Sequence, residues 1–297
     1  MTELDLRHLR YFVAVANEGQ MTRAAQRLQL AQPALSQAIA RLETQVGVKL
    51  LERHPRGVTV TRAGAAFLEK VEATLEAVED ASATARSWAS QQEGRLRAGF
   101  VSMTPPMLAD DLFPRFSAAY PGVTIEWREL GYPRKNARAW LGDADLALIW
   151  FAPSIPGLAS QRIRSTPRVV AMAESHRLAG RSELRVHDVL DEPFPGIVGC
   201  DPGWLGNWGL DAYRGAPARR TDDRAKTPEE VSWIVASGRA ITTLPEIVAV
   251  PYHHLGIRAI PLIDAEPAVL ELVWPEGAAT PLVEELVELA RQGAEAH

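Results

Sequence analysis

MTRAAQRLQLAQPALSQAIARLE, residues 21–43, reads as two short helices joined by a tight turn. At about 100° per residue from Leu35, Ile39 and Leu42 return to one apolar stripe, with Ala38 beside it. Ser36, Gln37, Ala40 and Arg41 fall on the opposite face. That face is small and polar with one cation, so it can approach base edges of a duplex and still offer hydrogen bonds. A face meant only for water carries more Lys and Glu. Pro33 is tolerated in the first turn, where its missing N–H would be unpaired anyway. Thr22 is placed to cap the first helix. Ala24, Ala25 and Leu28 form its inner side, and the two alanines let the helices cross closely. Gln29-Leu30-Ala31 is the turn, with Leu30 plugging the corner. On pattern alone, an ordinary helical hairpin inside a larger core accounts for the spacing equally well.

Working outward, the run LRHLRYFVAVANEGQMTRAAQRLQLAQPALSQAIARLETQVGVKLLERHPRGVTVTRAG spans residues 6 to 64. It carries the pair Ala24-Ala25, AQPALS at 31–36, Leu42-Glu43, GVKLLER at 47–53 and TRAG at 61–64. On these marks it resembles the N-terminal domain of LysR-type transcriptional regulators. The resemblance implies a mostly α, winged helix-turn-helix head, a long linker helix, and a two-lobed α/β effector domain like a periplasmic solute-binding protein. It also favours DNA over the hairpin alternative. The candidate DNA contacts are Thr22, Arg23, Gln32, Pro33, Ser36, Gln37 and Arg41 on the two helices, with Arg53 and Arg56 on the wing. Three positions depart from the family pattern. Gln37 stands where Arg is common, and Gln pairs with adenine where Arg pairs with guanine, so the half-site is expected to differ. Ala31, often Ser, offers no side-chain cap. Leu51 replaces a usual Phe.

The formal net charge of −5 looks wrong for a DNA-binding chain until it is divided. Residues 1–64 hold nine Lys and Arg and five Asp and Glu, a net of +4, which leaves −9 on the remainder. A basic head on an acidic body is what phosphate contact by one domain requires. The 297 residues suggest about two domains. A single cysteine excludes an internal disulfide framework and fits a reducing compartment. The charged, polar N-terminus is no secretory signal, and no run of roughly 18 apolar residues exists. A cytoplasmic protein without a membrane span is therefore expected.

In chain order, Leu6, Leu9, Phe12, Val13 and Ala16 predict a first helix over 5–17 with all five in the core, ended by Gly19. After Glu43 the helix should run to Val46 and stop at Gly47. The β-prone runs 48–51 and 58–60, with a turn at 54–57, predict the wing. A helical pattern without Pro covers 61–92, with Thr61 as cap and Phe67, Val71, Leu75 and Val78 as its stripe. A lone helix of that length is expected to bury the stripe on a second copy of itself. Domain limits are set at 1–60, 61–93 and 94–297, with lobe I at 94–164 plus 267–297 and lobe II at 165–266. Strands are expected at 95–100, 123–127, 146–150, 169–172, 194–198, 240–245, 258–262 and 270–274, and mainly parallel sheets. Helices are expected from Pro105 through Phe116, at 134–141, 186–190, 227–237 and 281–292. Pieces such as GRLRAGFVS, GDADLAL, SHRLAG and SGRAITTLPE resemble the family's effector domain, with crossovers near 163–166 and 264–268.

Ligand should sit between the lobes, at helix N-termini and strand ends. Ser102 and Thr104 precede a Pro-started helix and could seat an anion or simply cap it. Trp150 and Phe151 end a strand at the cleft wall or belong to core. Cys200 could contact ligand, although a packed free thiol is the commoner role. Trp204 and Trp208 lie in what reads as a Gly-rich loop, GCDPGWLGNWG. Thr227 caps its helix, and Thr243 is a hydroxyl for the cleft. The eight tryptophans point to an aromatic or apolar effector, the hydroxyl seat to an anionic one. Partners are thus double-stranded DNA, a small-molecule effector and a second copy, as homodimer or homotetramer, with RNA polymerase as a further candidate. No cofactor and no metal are expected. An enzyme is the competing class, but the chain has no GxGxxG, GxxxxGK[ST], GxSxG or HExxH, and adjacent His253-His254 rarely ligate one metal. A solute-binding protein would need an export signal.

Overall fold

The structure is a computed structural model that describes residues 4–55, 57–101, 109, 111–152, 154–249 and 255–295. It forms two compact units, one ending at Ser82 and the other beginning at Ala83.

The first unit contains α1 (Leu6–Glu18), α2 (Met21–Arg27), α3 (Gln32–Val46), β1 (Leu51–His54), β2 (Gly57–Val60) and the start of α4 (Arg62–Gln92). Asp5 caps α1 by accepting from the Arg7 amide at 2.8 Å, and Gly19 ends it in the left-handed region. Leu9 and Phe12 are buried as expected. Leu6, Val13 and Ala16 are only half-buried, and Ala14 and Val15 take their place. Packing of both α2 and α3 on α1 widens its buried side beyond a single stripe. α2 starts one residue earlier than its sequence suggests. Extended Gln20 precedes it without a side-chain cap, Met21 is buried, and Thr22 sits exposed inside the helix instead of capping it. Gln29 turns the chain at φ 55°. α3 then opens on Ala31, which offers no side-chain cap, and closes on Gly47 at φ 75°. Leu35, Ile39 and Leu42 are at most 1% exposed. Each such burial stabilises by about 1.5–3 kcal/mol.

The wing departs from expectation by three residues. Its first strand is β1, not the run from Val48, and Val48 is 45% exposed. The cause is Glu43. Its buried carboxylate accepts from the Leu50 and Leu51 amides at 3.0 and 3.2 Å and from Lys49 Nζ at 2.5 Å. The segment before β1 is therefore bonded to α3 and not to a strand. β1 and β2 pair antiparallel, Leu51 opposite Val60. Thr61 does cap α4, accepting from the Gly64 amide at 2.8 Å. A Cβ on Gly64 would lie 2.1 Å from the Leu50 carbonyl, so only glycine lets α4 start this close to the wing. Phe67, Val71 and Leu75 pack on the head's own core, with Phe67 5.6 Å from Phe12. Part of the stripe expected to face a second copy is thus satisfied within the chain.

The second unit holds two sheets. β3 (Arg95–Val101), β4 (Thr124–Leu130), β5 (Leu146–Trp150), β6 (Leu158–Thr166) and β10 (Ala268–Pro275) form the larger, in the order β4-β3-β5-β10-β6. β7 (Arg168–Ala173), β8 (Thr242–Pro245) and β9 (Ile257–Pro261) form the smaller, in the order β8-β7-β9. The larger sheet is parallel around β3 and antiparallel at β10, and the smaller is antiparallel throughout. The expectation of mainly parallel sheets fails because β10 returns from the second lobe and β7 leaves for it directly after Pro167. The helices are α5 (Leu112–Ala119), α6 (Ala137–Leu141), α7 (Val186–Val189), α8 (Pro202–Gly209), α9 (Asp211–Arg214), α10 (Pro228–Ala236), α11 (Glu246–Ala249) and α12 (Pro281–Glu295). The expected start of α5 at Pro105 lies outside the described residues. Residues 194–198 make only isolated bridges, Phe194 to Arg220 and Ile197 to Ala225, and no strand. α8 replaces the expected loop. Asp201 caps it by accepting from the Trp204 amide at 2.8 Å, and Pro202 occupies its first turn. The C-terminal part of α4 packs here, where Ser87 donates to Asp145 at 2.6 Å.

Burial raises the pKa of Glu43, but the bonds from Lys49 and the Leu51 and Leu50 amides outweigh it and hold the carboxyl below its ordinary value. A lowered folded pKa means stabilisation that is complete above the unfolded value of about 4.3 and is lost as pH falls through the folded one. Glu43→Ala should destabilise the head by about 2–4 kcal/mol, because two buried amides lose their acceptor. Amide hydrogen exchange across β1 and β2 reads this out. Protection should fall in the variant at pH 7 and, in the unaltered chain, only in acid. Equal protection in both chains at pH 7 would show that Glu43 does not anchor the wing.

Candidate functional site

Two regions gather candidate residues. In the head, Gln32, Pro33, Gln37, Ala40 and Arg41 are exposed along α3, and Ser36 is half-buried beside them. Thr22 and Arg23 are exposed on α2, and Arg53 is exposed on β1. Arg56 lies outside the described residues. His8, Gln37, Ala40, Arg41, Thr44 and Gln45 line one open groove. His8, Thr44 and Gln45 were not singled out from sequence. Thr44 had a signal in its phase, since it falls opposite the apolar stripe of α3, whereas His8 and Gln45 flank the stripes of their helices and had none. Arg27 is held by Glu18 at 3.1 Å and Arg7 by Asp5 at 3.2 Å. Arg23, Arg41 and Arg53 form no ion pair among the described residues, so their charge is available to an outside anion.

In the second unit, a cavity of about 50 Å³ lies between the two sheets' lobes. One wall is Val101, Tyr132, Ile149 and Trp150; the other is Ile197, Trp204, Trp208, Pro228, Val231, Thr242, Leu244 and Val248. Two hydrogen bonds cross the cleft beside it. Trp204 Nε1 donates to the Trp150 carbonyl at 3.0 Å, and the Asp201 amide donates to the Pro133 carbonyl at 2.6 Å. α8 therefore bridges the lobes.

The expected ligand residues scatter differently. Trp150 and Trp204 line the cavity. Phe151 adjoins it in the left-handed region at φ 55°, with the Arg168 guanidinium 4.2 Å above its ring and Trp208 against it at 5.1 Å. Cys200 packs on the same core without lining the cavity, and burial pushes its thiol pKa up. Thr227 accepts from the Glu230 amide at 3.2 Å and so serves as the helix cap. Thr243 is fully buried and donates to the Trp208 carbonyl at 2.8 Å. The strand's period of two puts Thr242 and Leu244 on the cavity face instead. Ser102 and Thr104 lie outside the described residues. Tyr132, Ile197, Val231 and Val248 had no local signature, because only the fold brings these separate segments together.

Against known proteins, the profile of bacterial regulatory helix-turn-helix proteins of the lysR family matches residues 6–65, and that of the LysR substrate binding domain matches residues 89–295. The chain is 34% identical over 282 residues to the HTH-type transcriptional regulator YnfL of Escherichia coli, covering 92% of this chain and 93% of that one. It is 32% identical over 299 residues to the HTH-type transcriptional regulator IlvR of Caulobacter vibrioides, covering 99% of each. The solved structure of CbnR, a LysR family transcriptional regulator, shares the fold with a TM-score of 0.58 at 21% identity, over 98% of this chain and 99% of that one. No described helix is long and apolar enough to cross a membrane. With a DNA-binding helix-turn-helix head joined to an effector-binding domain, the chain belongs to the LysR family of transcriptional regulators.

Proposed function

We propose that α3 enters the major groove of double-stranded DNA, with Gln37 and Arg41 reading base edges and Arg23 and Arg53 contacting phosphate. The observation that carries this reading is the division of α3 into a fully buried apolar side and an exposed side of small polar groups. Gln32, Pro33, Ser36 and Thr22 lie on the same approach, and Arg56 belongs to the same wing. The inter-lobe cavity takes a small-molecule effector. Its occupation changes the contacts that α8 makes across the cleft, and a ligand shifts that equilibrium to the extent that it prefers one state. Two or four copies act together, each head supplying one α3 to a half-site, and RNA polymerase is the partner at the promoter. The protein works in the cytoplasm and catalyses no reaction. The domain limits at 60, 93 and 164–165 divide head, linker helix and lobes.

A thiol switch does not fit. The chain has one cysteine, so no internal disulfide can form. The thiol pKa of Cys200 is raised by burial more than nearby Arg220 lowers it, which leaves it protonated and weakly nucleophilic at neutral pH.

Selection from a random duplex library gives the operator, and base substitution then gives the cost at each position. Gln37→Ala should flatten preference at one base pair by about 1–3 kcal/mol. Equal weakening on every sequence would mean that Gln37 reads no base. Arg53→Ala should weaken binding uniformly and reduce the slope of log affinity against log salt by about one. An unchanged slope would remove Arg53 from the phosphate contacts.

A further inference from the structure

The inter-lobe cavity holds about 50 Å³. Ligand pockets generally run to roughly 300–1,000 Å³, so an effector of ordinary size fits only after the walls part. Where they part depends on how α8 is held, because that helix touches the lobes of both sheets.

The C-terminal end of α8 is fixed to the side of the smaller sheet. A helix leaves its last carbonyls without partners of its own. Here the Leu205 carbonyl accepts from Arg220 at 3.2 Å, Asn207 from Arg168 at 2.8 Å, Trp208 from Thr243 at 2.8 Å and Gly209 from Arg214 at 2.8 Å. The Gly206 carbonyl accepts from the Leu210 amide. Arg168 belongs to β7, Thr243 to β8 and Arg214 to α9. Three of the four side chains are guanidinium groups, whose hydrogen bonds are roughly twice as strong as neutral ones. Leu210, directly after the helix, is buried in the core of the smaller sheet.

The N-terminal end reaches the side of the larger sheet through two neutral hydrogen bonds. The Asp201 amide donates to the Pro133 carbonyl at 2.6 Å, and Trp204 Nε1 donates to the Trp150 carbonyl at 3.0 Å. Ring contacts add to them, with Tyr132 5.4 Å from Trp204 and Phe151 5.1 Å from Trp208. The Arg168 guanidinium also lies over the Phe151 ring. Tyr132, Trp150 and Trp204 border the cavity. Water admitted there by an opening takes up the released donors and carbonyls, which lowers the cost of breaking this end. Breaking the other end would give up three charge-assisted bonds and a hydroxyl bond.

We propose that α8 is an arm of the smaller sheet's lobe, latched onto the larger sheet's lobe by Trp204, and that the cleft opens by release of the Trp204–Trp150 bond while the C-terminal end of α8 stays fixed. That the molecule admitted is the effector rests on the cavity being the effector site. Trp204 is then a positioning residue that sets the balance between the shut and the open cleft.

Hydrogen exchange read by NMR on the full-length protein tests the latch, since local openings expose only the groups they release. In the unaltered chain, the Trp204 Nε1–H and the Asp201 amide should share one opening equilibrium. Their protection should lie at least about tenfold below that of the Leu210 amide at the fixed end. Trp204→Phe removes the donor and keeps an aromatic ring. It should speed exchange of the Asp201 amide about fivefold, the equivalent of one net hydrogen bond. Relaxation of the Leu244 and Val248 methyls by the soluble nitroxide TEMPOL should rise by a similar factor, and Leu210 should keep its protection. Equal protection of Trp204, Asp201 and Leu210 in the unaltered chain would show α8 melting as a whole and would overturn the latch, whether or not the variant folds. A folded variant with unchanged Asp201 exchange and methyl relaxation would overturn it too. Operator affinity separates the latch from the reading it rests on. Faster exchange with unchanged affinity for the selected operator upholds the latch and takes the cavity out of the effector's role.

Discussion

The outward display of α3 depends on how its inner side is fixed. Leu35, Ile39 and Leu42 are buried against α1 and α2, which sets the rotation of the helix about its axis. Rotation alone would leave the wing free. Glu43 supplies the second constraint, because the same helix that presents Gln37 and Arg41 holds the segment leading into β1 through one carboxylate. Gly64 and Thr61 close the arrangement from the α4 side, where the helix begins against the Leu50 carbonyl. The exposed polar face of α3 and the wing are thereby fixed to one element. A shift of α3 would carry both, and register between them is kept.

The effector unit uses the same economy across its cleft. α8 is short and contains three glycines, a composition unfavourable for a helix by about 1 kcal/mol per glycine. It persists because Asp201 caps it and Trp204 is buried, with the indole bonded to the opposite lobe. Two of its aromatic rings form part of the cavity wall, and they meet tilted or edge-to-face in a continuous series from Tyr132 through Trp204 and Trp208 to Phe151. An element so dependent on tertiary contacts responds to what fills the space beside it. That is the property a ligand needs if occupation is to alter the relation of the two lobes.

Much of this was legible in the residues. The stripe of α3, its end at Gly47, the cap at Thr61 and the start of α10 at Thr227-Pro228 all rest on interactions within a few residues, and all stand as read. The failures share one cause, which is that distant contacts overrode local preference. GCDPGWLGNWG reads as loop from its glycines, yet burial of Trp204 makes it helical. The 194–198 run looks like a strand, yet it meets its neighbours only at single bridges. Val48 is β-prone, yet Glu43 claims the amides that follow it. Thr243 offers a hydroxyl, yet alternation along β8 puts Thr242 in the cavity. Cavity walls drawn from β3, β5, β8, α8, α10 and α11 have no sequence period, so only Trp150 and the two loop tryptophans hinted at them.

The placement of charge ties the two units to one task. The head carries a net +4 over residues 1–64 and keeps Arg23, Arg41 and Arg53 out of ion pairs among the described residues. The body carries the balance of −9, and its buried Arg168 and half-buried Arg220 are turned to backbone carbonyls. A guanidinium used in this way satisfies carbonyls that short helices and bends leave unpaired. It also removes cationic surface that phosphate could find. Screening confines electrostatic attraction to about 10 Å at moderate salt, so a polyanion is attracted most where unpaired cations stand beside small polar side chains. The acidic body adds repulsion elsewhere. The same withdrawal of arginine heads leaves the described cavity walls without a charged side chain, so one disposition of charge keeps cations both off the body's surface and out of the cavity.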